Sequence, residues 1–219
     1  MALSITPLII AIDGPAAAGK GTLARRLAAH FGLPYLDTGL LYRAVARRVI
    51  DAGQSPADAE AAAAAARALQ PEDTQRTDLR GPPVDEAASL VASVPAVRAA
   101  LLEFQRGFGR AHGAVLDGRD IGTVIFPEAP AKLFVTASPE ERGRRRWAEL
   151  RGRGVAADLG AITAEVHARD AADAARAAAP MKPAADAMLL DTTSLDADAA
   201  FAAALRLIAE RLTAQGLTS

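Results

Sequence analysis

The apolar run Leu8–Ile12 (LIIAI) leads into a glycine-rich stretch, Gly14–Thr22 (GPAAAGKGT), and then into a segment with helical apolar spacing that begins at Lys20. This succession limits the fold more than any other feature. A short, branched, continuously apolar run reads as a parallel strand buried on both faces. Lys20–His30, with Leu23, Leu27 and Phe31 sharing one face, reads as an amphipathic helix. The turn between them can wrap backbone N–H groups around an anion at the helix N-terminus, where the peptide dipoles favour negative charge. Glycines at 14 and 19 permit backbone conformations and close approaches that larger residues do not. In such a cradle Lys20 supplies a point charge for phosphates, and a hydroxyl nearby suits magnesium. The plainer alternative is a tight strand–helix turn with an incidental lysine. The strict phosphate-loop pattern has Ser or Thr directly after the lysine; here Gly21 stands there and Thr22 follows.

The rest of the chain alternates in the same way. Pro34 and Asp37-Thr38-Gly39 mark a strand and turn. Helices are expected over 40–52, with a cap near Gly53, and over 54–69 after Ser55-Pro56. Residues 70–83 are polar, rich in proline and without a period, so an irregular connection is expected there. Helices over 85–93 and 96–112 would be separated by Pro95. Strands are expected at 114–116, 132–136 and 187–191. Ser138-Pro139-Glu140-Glu141 is a strong helix start, with a cap, proline at the first position and early acids. That helix would run to Leu150, followed by a glycine-containing loop over 151–160 and helices over 162–177 and 196–214. Alternating strands and helices imply an α/β fold with a parallel sheet covered on both faces.

Composition adds exclusions. The chain has 219 residues, 51% of them hydrophobic, which suits one domain with a sizeable core. A net charge of −1 gives no reason to expect a nucleic-acid or membrane surface. With no cysteine, disulfides and thiolate metal sites are excluded. Met1–Asp13 lacks a basic start and a long apolar run, so no signal peptide is expected, and no stretch approaches the length of a membrane span. The expectation is a cytoplasmic protein, by default a monomer. Lysine occurs only at 20, 132 and 182, and alanine is abundant, as in the run Ala61–Ala66. Base composition accounts for both biases, so weight falls on where arginines sit rather than on their number.

Four segments in order, IDGPAAAGKGT (12–22), YLDTGLLYR (35–43), VLDGRDIGTVIFPEAP (115–130) and RDAADAARAAAP (169–180), resemble successive signatures of bacterial cytidylate kinases, with DGRDIGTVIFP the most discriminating. The resemblance implies a P-loop kinase fold with a five-stranded parallel sheet. It also implies an acceptor-binding insert over 54–98 that looks shortened, a lid over 142–160, and transfer of the γ-phosphoryl group of ATP to CMP or dCMP with magnesium. Gly14, Pro15, Ala16, Ala17, Ala18, Gly19, Lys20, Gly21 and Thr22 would hold the ATP phosphates. Thr22 and Asp117 would hold magnesium, the latter through water; alternatively Asp117 is a plain strand-end turn residue.

On the acceptor side, the resemblance assigns Thr38, Arg98 and Asp120 to the cytosine. Cytosine offers an amino donor beside two acceptors, which suits a carboxylate next to an arginine; uracil reverses that polarity. Arg43 and Arg119 would clamp the CMP phosphate, for which a planar guanidinium is well shaped. Tyr42 is open between a nucleotide contact and simple packing. Arg169, Asp173 and Arg176 share a helix face that the resemblance assigns, with Ser89, to sugar and phosphates; the alternative is an exposed ion-pair ladder. Arg142, Arg145 and Arg146 share another face, and any of them could stabilise charge on the transferring group together with Lys20 and Arg119. Competing readings are a kinase for UMP, AMP or a non-nucleotide acceptor, and a regulatory module that binds nucleotide without turnover.

Overall fold

The computed structural model describes residues 7–176 and 179–217. Its sheet is built from short apolar strands: β1 (Ile9–Asp13), β2 (Tyr35–Asp37), β3 (Ala114–Gly118), β4 (Ala131–Thr136) and β5 (Met188–Asp191), in the order β2-β3-β1-β4-β5. β1 pairs in parallel with β3, Ile12 opposite Asp117, and with β4, Ile12 opposite Leu133; β4 pairs in parallel with β5. Every residue of β1 and β3 is buried, the apolar runs that open each strand and the aspartates Asp13 and Asp117 toward their ends alike. The helices are α1 (Lys20–Phe31), α2 (Thr38–Asp51), α3 (Ala59–Arg67), α4 (Pro82–Ser93), α5 (Pro95–His112), α6 (Pro139–Gly152), α7 (Leu159–Ala174) and α8 (Ala197–Ala214).

Two compact units result, Met1–Leu36 with His112–Ser219, and Asp37–Ala111. In the first, Leu27 of α1 and Ile208 of α8 pack with Ile10, Ile12, Val115, Leu133 and Val135 of the sheet. β1 lies between β3 and β4, so the loops after β1 and β3 emerge together at the carboxyl end of the sheet, where open α/β folds place ligands. The second unit holds α2 to α5 and extends on both sides of the 54–98 region read from sequence.

Several elements differ from the sequence reading, each for a local reason. α3 starts late, at Ala59, because the Asp58 carboxylate accepts the N–H groups of Glu60 and Ala61 and sets the cap there. The polar stretch 70–83 is not wholly irregular: it contains a 3-10 turn, Pro71–Gln75, closed by a reciprocal Gln70–Asp73 capping box. Pro82 and Pro95 open helices instead of interrupting them, since a proline in the first turn loses no helical hydrogen bond. After β3 comes a π turn, Ile121–Ile125, which no periodicity announces. The helix expected to reach Ala177 ends at Ala174; Ala177 itself lies outside the described residues. No single helix among the described residues is long and apolar enough to cross a membrane.

Candidate active site

The loop after β1 is shaped by what lies beneath it. Gly14 has φ 142° and passes so close to β4 that a Cβ there would stand 1.9 Å from the Val135 carbonyl oxygen. Gly19 caps α1 with φ 88°, a left-handed conformation that favours glycine. Thr192, after β5, ties the loop down: its hydroxyl lies 3.1 Å from the Ala18 carbonyl and 3.0 Å from that of Thr136.

Lys20, at the start of α1, is buried and donates to the Pro15 carbonyl across the loop at 2.6 Å. Burial first, and then the positive charge of Arg119, lower its pKa to about 7, against the pull of Asp117 and Asp13. An anion bound in the loop would supply the missing counter-charge.

Asp117, at the end of β3, is buried and accepts from the Tyr35 hydroxyl at 3.1 Å. Its other carboxylate oxygen lies 3.7 Å from where a Cβ on Gly21 would be, so Asp117 stands against the first turn of α1. Arg119 donates through Nε to Asp173 at 2.8 Å, and Arg176 donates to the other oxygen of the same carboxylate. Burial would raise the pKa of Asp173, but Arg119 and Arg176 together hold it below the usual carboxylate value. Asp13, the last residue of β1, accepts the N–H groups of Ile121 and Gly122, each at 2.7 Å.

The α6 arginines do different things. Arg142 is almost wholly buried: Nε donates to the Ala137 carbonyl at 2.9 Å, and the terminal nitrogens hold the Asp170 carboxylate at 3.0 and 2.5 Å. One of them also reaches the Ala16 carbonyl at 3.3 Å, so Arg142 joins α6 and α7 to the loop. Arg145 donates to the Thr192 carbonyl at 2.6 Å and to its hydroxyl at 3.0 Å, and pairs with Glu141. With Ala18, Gly19, Thr22, Leu195 and Ala200 it borders a cavity of about 340 Å³. Arg146 pairs with Glu149 and is not part of that wall.

In the second unit, Arg43 donates to Asp85 at 2.9 Å and Ser89 to the Asp85 carbonyl at 3.3 Å. The Arg98 guanidinium lies 5.8 Å from the centre of the Tyr42 ring. Thr38, the first residue of α2, is buried. α2 and α4 pack together, which brings Arg43, Ser89 and Asp85 into one cluster.

Residues 10–210 match the model of the family described as cytidylate kinase. Over 201 residues the chain is 66% identical to the cytidylate kinase of Granulibacter bethesdensis, covering 92% of this chain and 96% of the relative. It is 62% identical over 202 residues to the cytidylate kinase of Acidiphilium cryptum, covering 92% and 95% respectively. The chain belongs to the cytidylate kinase family. Among solved structures, an uncharacterized protein from Eubacterium ventriosum aligns with a TM-score of 0.54 at 16% identity over 93% of this chain and 98% of that one, a likeness of fold.

For a cytidylate kinase, the structure thus groups the loop residues, Asp117, Arg119, Asp173 and Arg176 in the first unit, and Arg43 and Ser89 in the second. Residues that sequence reading passed over are Asp13, Tyr35, Asp85, Asp170 and Thr192. Asp13 and Tyr35 fall inside the quoted motifs, but their partners lie 108 and 82 positions away, so their work becomes visible only once the chain is folded.

Proposed function

We propose that this chain transfers the γ-phosphoryl group of ATP to CMP or dCMP, giving ADP with CDP or dCDP. The observation that carries the reading is the buried Lys20 at the head of α1, folded across the glycine loop onto the Pro15 carbonyl, with Arg119, Asp117, Asp13 and Arg169 as the charges acting on it. Such a centre is poised for two phosphate-bearing ligands. In this reading the loop amides and Lys20 hold the β- and γ-phosphates of ATP, and the cavity beside Arg145 and Ala200 receives the ATP base. Within the first unit Arg119, held in place by Asp173, meets the acceptor phosphate, and Asp120 recognises the cytosine.

An acceptor phosphate oxygen attacks the γ-phosphorus, and the bond from that phosphorus to the ADP oxygen breaks. The attacking oxygen is already a nucleophile, so positioning and charge neutralisation do most of the work. Asp117 and Thr22 suit magnesium, which takes few protein oxygens alongside substrate phosphates, and when bound it would neutralise charge on the β- and γ-oxygens. Arg142, committed to Asp170 and the loop carbonyl, acts by positioning the loop, whereas Arg145 is the α6 arginine that faces nucleotide.

The test is ADP production from ATP and magnesium with CMP, dCMP, UMP, AMP or no acceptor. Turnover confined to CMP and dCMP is expected. Equal rates with UMP or AMP would refute the base assignment, and silence with every acceptor from folded, ATP-binding protein would refute the activity.

A further inference from the structure

We infer that Asp13 is a positioning residue for the acceptor: its buried carboxylate fixes the turn that carries Arg119 and Asp120, and so joins the phosphate loop to acceptor recognition. The inference rests on the reading above for the roles of Arg119 and Asp120, but the geometry stands by itself. Asp13 immediately precedes Gly14, and its two carboxylate oxygens each take one N–H from consecutive residues, Ile121 and Gly122, at 2.7 Å. These donors belong to the first turn of the π turn that follows Asp120 directly. Both bonds are short and charge-assisted, the strong kind.

Space at the turn is equally restricted. A Cβ on Gly122 would stand 3.1 Å from Lys132 Cδ and 3.4 Å from an Asp13 oxygen, so a side chain there would have to displace the lysine stem by a few tenths of an ångström. The charged groups that act on Asp13 are Asp120 at the head of the turn and Lys20 on α1. Lys132 on β4 lays its aliphatic stem against Gly122 and sends its ammonium to Asp186 at 2.9 Å. Burial raises the pKa of Asp13 to about 6, outweighing the two amide bonds and Lys20, all of which lower it. The ionised form suits this arrangement best, since both of its oxygens are full acceptors, whereas protonation places a donor hydrogen on one of them and weakens the bond it accepts.

Two measurements test this. In isotope-labelled wild-type protein, the Ile121 and Gly122 amide resonances should shift together on acidification from pH 7.5 to 3 with one common midpoint; the absence of a shared titration overturns the inference. In Asp13→Asn, one amide faces an amino group, and kcat/KM for CMP should fall at least tenfold, mostly through KM for CMP. KM for ATP should stay within threefold. A parallel rise in both KM values, or a loss of kcat alone, is what general disruption of the fold would give and overturns it. The amide titration needs no variant and no substrate. The KM comparison is made only once the wild-type chain has turned over CMP, so failure of the inference and failure of the proposed activity are distinguishable.

Discussion

At the residue scale, two glycines of the same loop are present for different reasons. Gly14 cannot be replaced: its φ of 142° and the Val135 carbonyl 1.9 Å from a would-be Cβ leave neither conformation nor space. Gly14→Ala should therefore destabilise the fold by about 2–5 kcal/mol and abolish ATP binding, by urea denaturation and calorimetry. Gly21 is different. Its φ is helical, and the nearest groups to a would-be Cβ are the Tyr35 hydroxyl at 3.6 Å and Asp117 at 3.7 Å, ordinary contacts. Gly21→Ala should keep the fold and gain up to about 1 kcal/mol from helix propensity; a loss of stability comparable to that of Gly14→Ala would show that the space beside Asp117 is misread. A sequence shows that both positions are glycine, but only the folded neighbourhood separates the backbone need from the side-chain allowance.

At the element scale, what could be read in advance was what local rules decide. The alternation of apolar runs and periodic segments located β1, α1, α2, α6 and α8 to within a few residues, because each carries its own cap or its own buried stripe. Ser138 accepts from the Glu141 N–H, as its place before Pro139 suggested, and Asp196, read as the start of the last helix, caps it by accepting from the N–H groups of Asp198 and Ala199. What could not be read depends on distant partners: the π turn held by Asp13, and the use of Arg142 to lock α7 and the loop through Asp170 and Ala16. The proline-rich stretch before α4 was obscure because the same residue both breaks and starts helices. α8 also has a functional side. Arg26 of α1 donates to the Ala197 carbonyl at 2.8 Å, fixing the end of α8 where Ala197 and Ala200 border the cavity. If that cavity receives the base of ATP, Ala200→Phe should raise KM for ATP at least tenfold. KM for CMP should hold, and equal effects on both substrates would place the ATP base elsewhere.

Over the whole molecule, stability and the proposed activity make opposite demands on one carboxylate. Asp13 has its pKa raised to about 6 in the folded chain, whereas an unfolded aspartate titrates near 4. Between those values the folded state holds a proton that the unfolded state has released, so stability falls as pH rises through this window and is level above it. The loss is on the order of 3 kcal/mol, a large part of what holds a domain of this size together. Asp173 acts in another window: its pKa lies below the usual value, so its contribution is present above about 4 and lost only in stronger acid. Subtracting the stability of Asp13→Asn from that of the wild type isolates Asp13. The difference, by urea denaturation at pH 4.0 and 6.5, should fall by about 2 kcal/mol toward the higher pH, most of the full change. A flat difference would mean that the carboxylate is already ionised at pH 4 and that the two amide bonds more than repay its burial. If it falls, the chain gives up stability near neutral pH to keep the acceptor turn anchored by an ionised group, a cost that a buried neutral residue would avoid and that stronger bonds to both amides offset.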